Sequence, residues 1–348
     1  MRLRAIMGTL KDGAALLSSA APTSAAAAVL RATAHRSSSE AAPKKHLDGL
    51  LRFGSGSRPT AAALVGALLS RLSGTRDPAV AIKCLVSIHY VARRGSFILR
   101  DQLLAALQLP PSVGGRNPLN LSGFVDRSAT DWWALSRLAR WLARVIEHLL
   151  AFHRAAGFFP YEGGGGRPRA EQEERAAALP NGQVLEEMEA LVGLVEEIRG
   201  EPDVSHVTGK RLAAQVAALV REETAAAREE ILVRMKEMGE RLDCLVFGEA
   251  VRLTCLVKRL ETCKRSTAAA APPPAAVEIL ELSEGDWYLW EAVASVKARI
   301  PAAAGEDVKG DQLRRERISA SARIGDRPPS LASSFDSVRF SSTRWPAN

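Results

Sequence analysis

Residues 75–96 read TRDPAVAIKCLVSIHYVARRGS, and Val80, Ile82, Leu85, Val86, Ile88 and Val91 place apolar groups nearly all round a helical wheel. Asp77 suits an N-cap, Pro78 the first helical position, and Gly95 a stop after Arg93 and Arg94. A helix apolar on every side is central, with neighbours around it. His89 and Lys83 within it therefore read as satisfied groups at the edge of a core rather than as ligands. Upstream, RPTAAALVGALLSRLSG predicts a shorter helix over about 59–72, and downstream FILRDQLLAAL predicts another, ended by Pro110 and Pro111. A loop-like stretch, SVGGRNPLNLSGFVD, leads into a long amphipathic pattern. There Leu138, Trp141, Leu142, Val145, Ile146, Leu149 and Phe152 recur at spacings of three and four. Trp132, Trp133 and Trp141 in that helix read first as core or groove residues. Further helices are expected over 184–198, 208–223, through Ile231 and Met235, and over 242–263. No segment shows a convincing strand pattern, so the chain reads as all-α, a stack of antiparallel helices joined by short loops.

Two stretches break the pattern. Residues 162–182, EGGGGRPRAEQEERAAALPNG, combine glycine, proline and charge and read as a flexible surface insertion. Their glycines are not a phosphate-binding loop, because no strand precedes them and no Lys-Ser/Thr follows. Past Arg265 the run STAAAAPPPAA reads as a linker, followed by an acidic, aromatic segment and a Ser-, Arg- and Pro-rich end. Residues 266–348 are expected to be mostly disordered and residues 1–265 to form the folded domain.

Composition agrees with this division. Apolar residues make up 47% of the 348, but aromatics only 5%, and Ala and Leu favour helix-on-helix packing. The net charge is +8, and residues 1–58 hold nine Lys or Arg against three acids, so most of the excess sits near the N-terminus. Such a face suits phosphates of lipid or nucleic acid. The four cysteines form no CxxC and read as buried, reduced thiols. No run of about 18 apolar residues lacks a charge, so no membrane span is expected. The acid-poor N-terminus also has the composition of an organellar transit peptide. No HExxH, GxSxG or Cys/His pairing appears, so an enzyme, a metal site and a cofactor are not expected.

The charge is concentrated at RATAHRSSSEAAPKKH, residues 31–46. A helix is expected to end near Ala32 and another to start near Lys44, with Leu47, Leu50 and Leu51 on its apolar side. If the serine-rich loop brings those ends together, Arg31, Lys44, Lys45 and His46 converge beside free N–H groups at a helix start, as a phosphate requires. A solvated basic turn is the alternative. The order RAT…H…PKKHLDGLL followed by AIKCLVSIHYVARRG resembles the ANTH domain of clathrin assembly proteins, the plant type especially. That resemblance covers about residues 1–265 and implies an α-solenoid. It also implies that Arg31, Lys44, Lys45 and His46 bind the headgroup of phosphatidylinositol 4,5-bisphosphate. Arg31 stands where the family motif has a lysine, the spacer is longer, and one of its three lysines is missing.

Leu3, Ile6, Met7 and Leu10 fall on one side of a short N-terminal helix flanked by Arg2, Arg4 and Lys11. They could insert at a membrane interface or pack on the next helix. The resemblance further implies an endocytic adaptor of clathrin-coated pits and vesicles, with clathrin, adaptor proteins and SNAREs as partners, and a plasma-membrane or Golgi location. Ile279, Leu280, Leu282 and Glu284 approach a clathrin-binding motif, although Ser283 stands where its acid belongs. The rival readings are a basic helical scaffold for nucleic acid and an imported organellar protein.

Overall fold

The computed structural model describes residues 7–8, 10, 12–14, 24–35, 40–107, 117–126, 130–157, 168–204, 210–269 and 288–299. All of them belong to one compact unit, residues 1–303. They form α-helices and short 3₁₀ turns, with no strand among the described residues. In chain order the helices are α1 Ala25–Ala32, α2 Lys44–Leu51, α3 Arg58–Gly74, α4 Pro78–Arg94, α5 Phe97–Leu107 and α6 Thr130–Ala156. They continue with α7 Arg169–Ala178, α8 Asn181–Arg199, α9 Lys210–Glu240 and α10 Phe247–Ala269, and end with α11 over residues 288–299. The stack is an α-solenoid. α4 packs on α3 and α6, α6 on α8, and α8 on α9 and α10, while α1 and α2 lie against one another and on α3 and α4.

The central helix forms as its sequence dictates. The Asp77 carboxylate accepts hydrogen bonds from the backbone N–H groups of Ala79 and Val80 at 2.8 and 3.2 Å, and Pro78 opens the first turn. Within α4 all residues but Tyr90, Arg93 and Arg94 are buried. Gly95 ends it without a left-handed turn: a Cβ there would lie 2.4 Å from the Val91 carbonyl oxygen. Lys83 donates to the Ala34 carbonyl at 3.1 Å, and the His89 ring meets Glu223 of α9 at 2.7 Å, so both of these polar groups are satisfied internally.

Three expectations need correction and one, for the C-terminal stretch, gains detail. Residues 169–178 are helical rather than part of a flexible insertion, because RAEQEERAAA is built of strong helix formers between Pro168 and Pro180. The helices expected over 208–223 and through Met235 are one unbroken α9, since no Gly or Pro occurs between Lys210 and Met238. The C-terminal stretch contributes α11, whose Leu289, Val293 and Val296 recur at helical spacing and are buried. Its Arg299 donates to the Gly239 carbonyl at 2.7 Å and its Lys297 pairs with Glu261 at 2.6 Å. Finally, Cys84 and Cys263 are buried, but Cys244 and Cys255 are exposed.

Glu223 gives the fold an acid-sensitive joint. It is 1% exposed and holds His89 and Arg93 of α4 at 2.7 and 2.6 Å. Burial pushes its pKa up, but the hydrogen bond from His89 and the charge and hydrogen bond of Arg93 more than offset this and leave the carboxyl below its ordinary value of 4.5. A carboxyl depressed by folding contributes stability that is complete above the unfolded value and is lost as pH falls through the folded one. Urea midpoints are therefore expected to fall as the pH drops below about 5. In Glu223→Gln they should start lower and decline less steeply. Parallel pH profiles for the two proteins would show that this joint does not carry the effect.

Candidate functional site: a cationic corner at the start of α2

The corner is held by contacts from distant elements. Ser24 caps α1 by accepting from the Ala27 N–H at 3.2 Å, and the Thr33 hydroxyl closes its other end by donating to the Val29 carbonyl at 2.7 Å. Lys83 of α4 fixes the carbonyl of Ala34 just beyond. On the far side of the loop, Gln215 of α9 grips both backbone groups of Ala42. Its Oε1 accepts from the Ala42 N–H at 2.9 Å and its Nε2 donates to the Ala42 carbonyl at 3.1 Å. Pro43 then starts α2 with no side chain capping the helix.

These anchors set the last turn of α1 against the first turn of α2. His46 Nδ1 donates to the Arg31 carbonyl oxygen at 2.9 Å, which joins the two helix ends directly. Arg31, Lys44 and Lys45 are exposed and His46 is half-buried. Among the described residues, none of the four pairs with an acid. Asp48 lies one turn after Lys44, where it could have paired with it, but takes a hydrogen bond from the Tyr90 hydroxyl instead. The uncapped helix start, with its partial positive charge, adds to the same corner. Chemically, this arrangement offers charge-assisted donors to an anion of several oxygens.

The remaining sequence candidates divide. Met7 and Leu10 are 68% and 67% exposed, so the described part of the N-terminal segment does not bury them. Leu3, Ile6, Ile279, Leu280, Leu282 and Glu284 lie outside the described residues. The N-terminal segment docks through a residue the sequence did not single out. Asp12, 5% exposed, accepts from His35 Nδ1 at 2.6 Å, from the His35 backbone N–H at 3.1 Å and from Arg71 at 2.8 Å. Burial would raise the Asp12 pKa, but the hydrogen bonds from His35 and the Arg71 charge hold it below the ordinary carboxylate value. Gly8 is needed for this approach, because a Cβ there would lie 2.6 Å from the His35 ring. His35 thus works as an internal latch and is not free to join the cationic group. Gln215 was equally invisible, since only the fold brings it to a residue 173 positions away.

An all-α solenoid bearing an exposed cationic corner defines the class, and among its described residues no helix is long and apolar enough to cross a membrane. Residues 24–243, which include that corner, match the ANTH domain. A protein of Arabidopsis thaliana named as a clathrin assembly protein is 36% identical over 361 aligned residues, covering 98% of this chain and 93% of the relative. The chain therefore belongs to the ANTH domain family. Two further Arabidopsis thaliana proteins carry the same designation. One is 23% identical across 76% of this chain and 90% of its own length, the other 26% identical across 52% and 51%.

Proposed function

We propose that this protein is an endocytic clathrin adaptor that reads phosphatidylinositol 4,5-bisphosphate on the cytosolic face of the plasma membrane and recruits coat components to budding vesicles. The observation that carries this reading is the corner itself: Arg31, Lys44, Lys45 and His46 at two joined helix ends, exposed to half-buried and unneutralised by any described acid. Family membership and the names of the relatives support the clathrin half of the reading. Recruitment is reversible, since each basic residue near an anionic leaflet contributes about 1 kcal/mol. Met7 and Leu10, exposed beside the Asp12 latch, lie where a shallow apolar contact with the interface would add to that attraction. Clathrin contact falls to the C-terminal region, with Ile279, Leu280, Leu282 and Glu284 as the proposed motif.

The test is sedimentation of the full chain with vesicles. Phosphatidylcholine vesicles carrying about 5% of the bisphosphorylated lipid should bring down several-fold more protein than phosphatidylcholine alone, and the excess should shrink as salt rises. Purified clathrin should then co-sediment in a manner that depends on the protein. Equal binding to both vesicles would reject the membrane assignment, and clathrin left in the supernatant would reject the adaptor assignment.

A further inference from the structure

A second cationic feature lies on α6, away from the α1–α2 corner in sequence and built from other helices. Arg137, Arg140 and Arg144 stand at spacings of three and four and line an open cleft of about 320 Å³. Ser122 and the turn after α8, through Gly200 and Pro202, form its other walls. Trp141 also lines it, with the ring 1% exposed and pinned by donation from Nε1 to the Glu197 carbonyl at 2.8 Å.

The charge balance of this cleft is specific. Guanidinium groups stay protonated at any physiological pH. Of the three, only Arg144 has a described carboxylate partner, Glu197 at 2.7 Å. Arg137 lies over the Trp133 ring at 4.9 Å, a contact that orients a guanidinium without neutralising it. Arg140 has no acid partner among the described residues. The end of α8 would ordinarily oppose an anion with its free carbonyls. Here the Glu197 carbonyl is already taken by Trp141 and by the Gly200 N–H at 3.0 Å. Glu201, between the two wall residues, does not line the cleft, and burial pushes its carboxyl pKa up.

We infer that this cleft is a second ligand site, for a small molecule or headgroup bearing a phosphomonoester. Three guanidiniums against one carboxylate leave an excess of two positive charges. A phosphomonoester carries about −1.5 to −2 at neutral pH, whereas a single carboxylate would leave part of the excess unmatched. Planar guanidinium forks suit phosphate oxygens in pairs. The volume admits a sugar-sized body beside the phosphate, at the small end of the range for ligand pockets.

The experiment uses the full chain with Lys44→Glu and Lys45→Glu, so that the α1–α2 corner cannot answer in its place. Calorimetric titration with inositol 1,4,5-trisphosphate should show one site, displaced by inorganic phosphate. Adding Arg137→Gln and Arg140→Gln should weaken it at least tenfold while leaving the thermal midpoint unchanged. The source of the ester is read in the otherwise unaltered chain. If Arg137→Gln with Arg140→Gln lowers sedimentation with vesicles bearing the bisphosphorylated lipid, the ligand is a lipid headgroup; if sedimentation is unchanged, it is a soluble ester. No heat from the trisphosphate, equal affinity with and without the two arginine substitutions, or equal affinity for an unphosphorylated acidic peptide would overturn the assignment.

Discussion

The full chain carrying Lys44→Glu and Lys45→Glu is expected to stay in the supernatant with vesicles that sediment the parent protein, a loss of binding of at least tenfold. Each substitution removes one favourable charge and installs a repelled one, so the pair changes the corner by four charges. At about 1 kcal/mol for each charge near an anionic surface, the unscreened loss would approach a thousandfold. Both side chains are exposed, and physiological salt screens them within about 8 Å, which brings the expectation down to the tenfold floor. The fold should survive. Acids are favoured in the first turn of a helix, and neither lysine makes a described ion pair that would be lost. A charge-matched control separates a site from bulk electrostatics. Lys236→Glu with Lys258→Glu alters two exposed lysines on α9 and α10 by the same total charge and should keep most of the binding. If both double variants lose binding equally, net charge rather than the corner holds the protein to the membrane.

What could be read from the chain alone followed the range of the interactions. α4 was legible in full because its cap, its proline and its all-round apolarity are local features, and the structure buries it as that pattern requires. The adjacency of Arg31 and His46 was a conditional expectation, since eleven residues lie between the two helix ends, and the structure fulfils it with a direct hydrogen bond. What fixes that adjacency was not legible: Lys83 and Gln215 reach it across 49 and 173 positions. The role of His35 was not legible either, because its partner, Asp12, is set by how the N-terminal segment docks. The helices over residues 169–178 and 288–299 went unread for another shared reason. Glycine and proline nearby made composition look decisive, whereas Ala176 in one and Leu289, Val293 and Val296 in the other supply the buried positions that hold a short helix on a neighbour.

α7 also depends on a buried charge cluster, and Glu187→Ala is expected to be the most destabilising single substitution in this part of the stack. Glu187 is 0% exposed on α8. One carboxylate oxygen takes hydrogen bonds from Arg234 of α9 at 2.5 and 2.9 Å, and the other meets Arg175 of α7 at 2.9 Å. Arg234, itself 2% exposed, also reaches Glu230 at 2.5 Å and lies over the Phe152 ring of α6 at 5.4 Å. Three helices therefore meet at one carboxylate, and a fourth lies against its arginine partner. Such a pair adds little over an apolar filling, but removing one partner strands the other charge in the interior, at a cost of about 3–5 kcal/mol. In a domain of this size that corresponds to a fall in Tm of roughly 6–20 °C. Glu187→Gln keeps the shape and some of the hydrogen bonds and should fall between the two. Arg175→Met should cost less than Glu187→Ala, because Arg234 still neutralises Glu187, and the Arg175 side chain is 22% exposed and so already partly in water. Thermal melts of the three variants order them. A Glu187→Ala protein melting within about 2 °C of the parent would mean that Arg234 is satisfied by Glu230 alone and that α7 is held by packing, not charge.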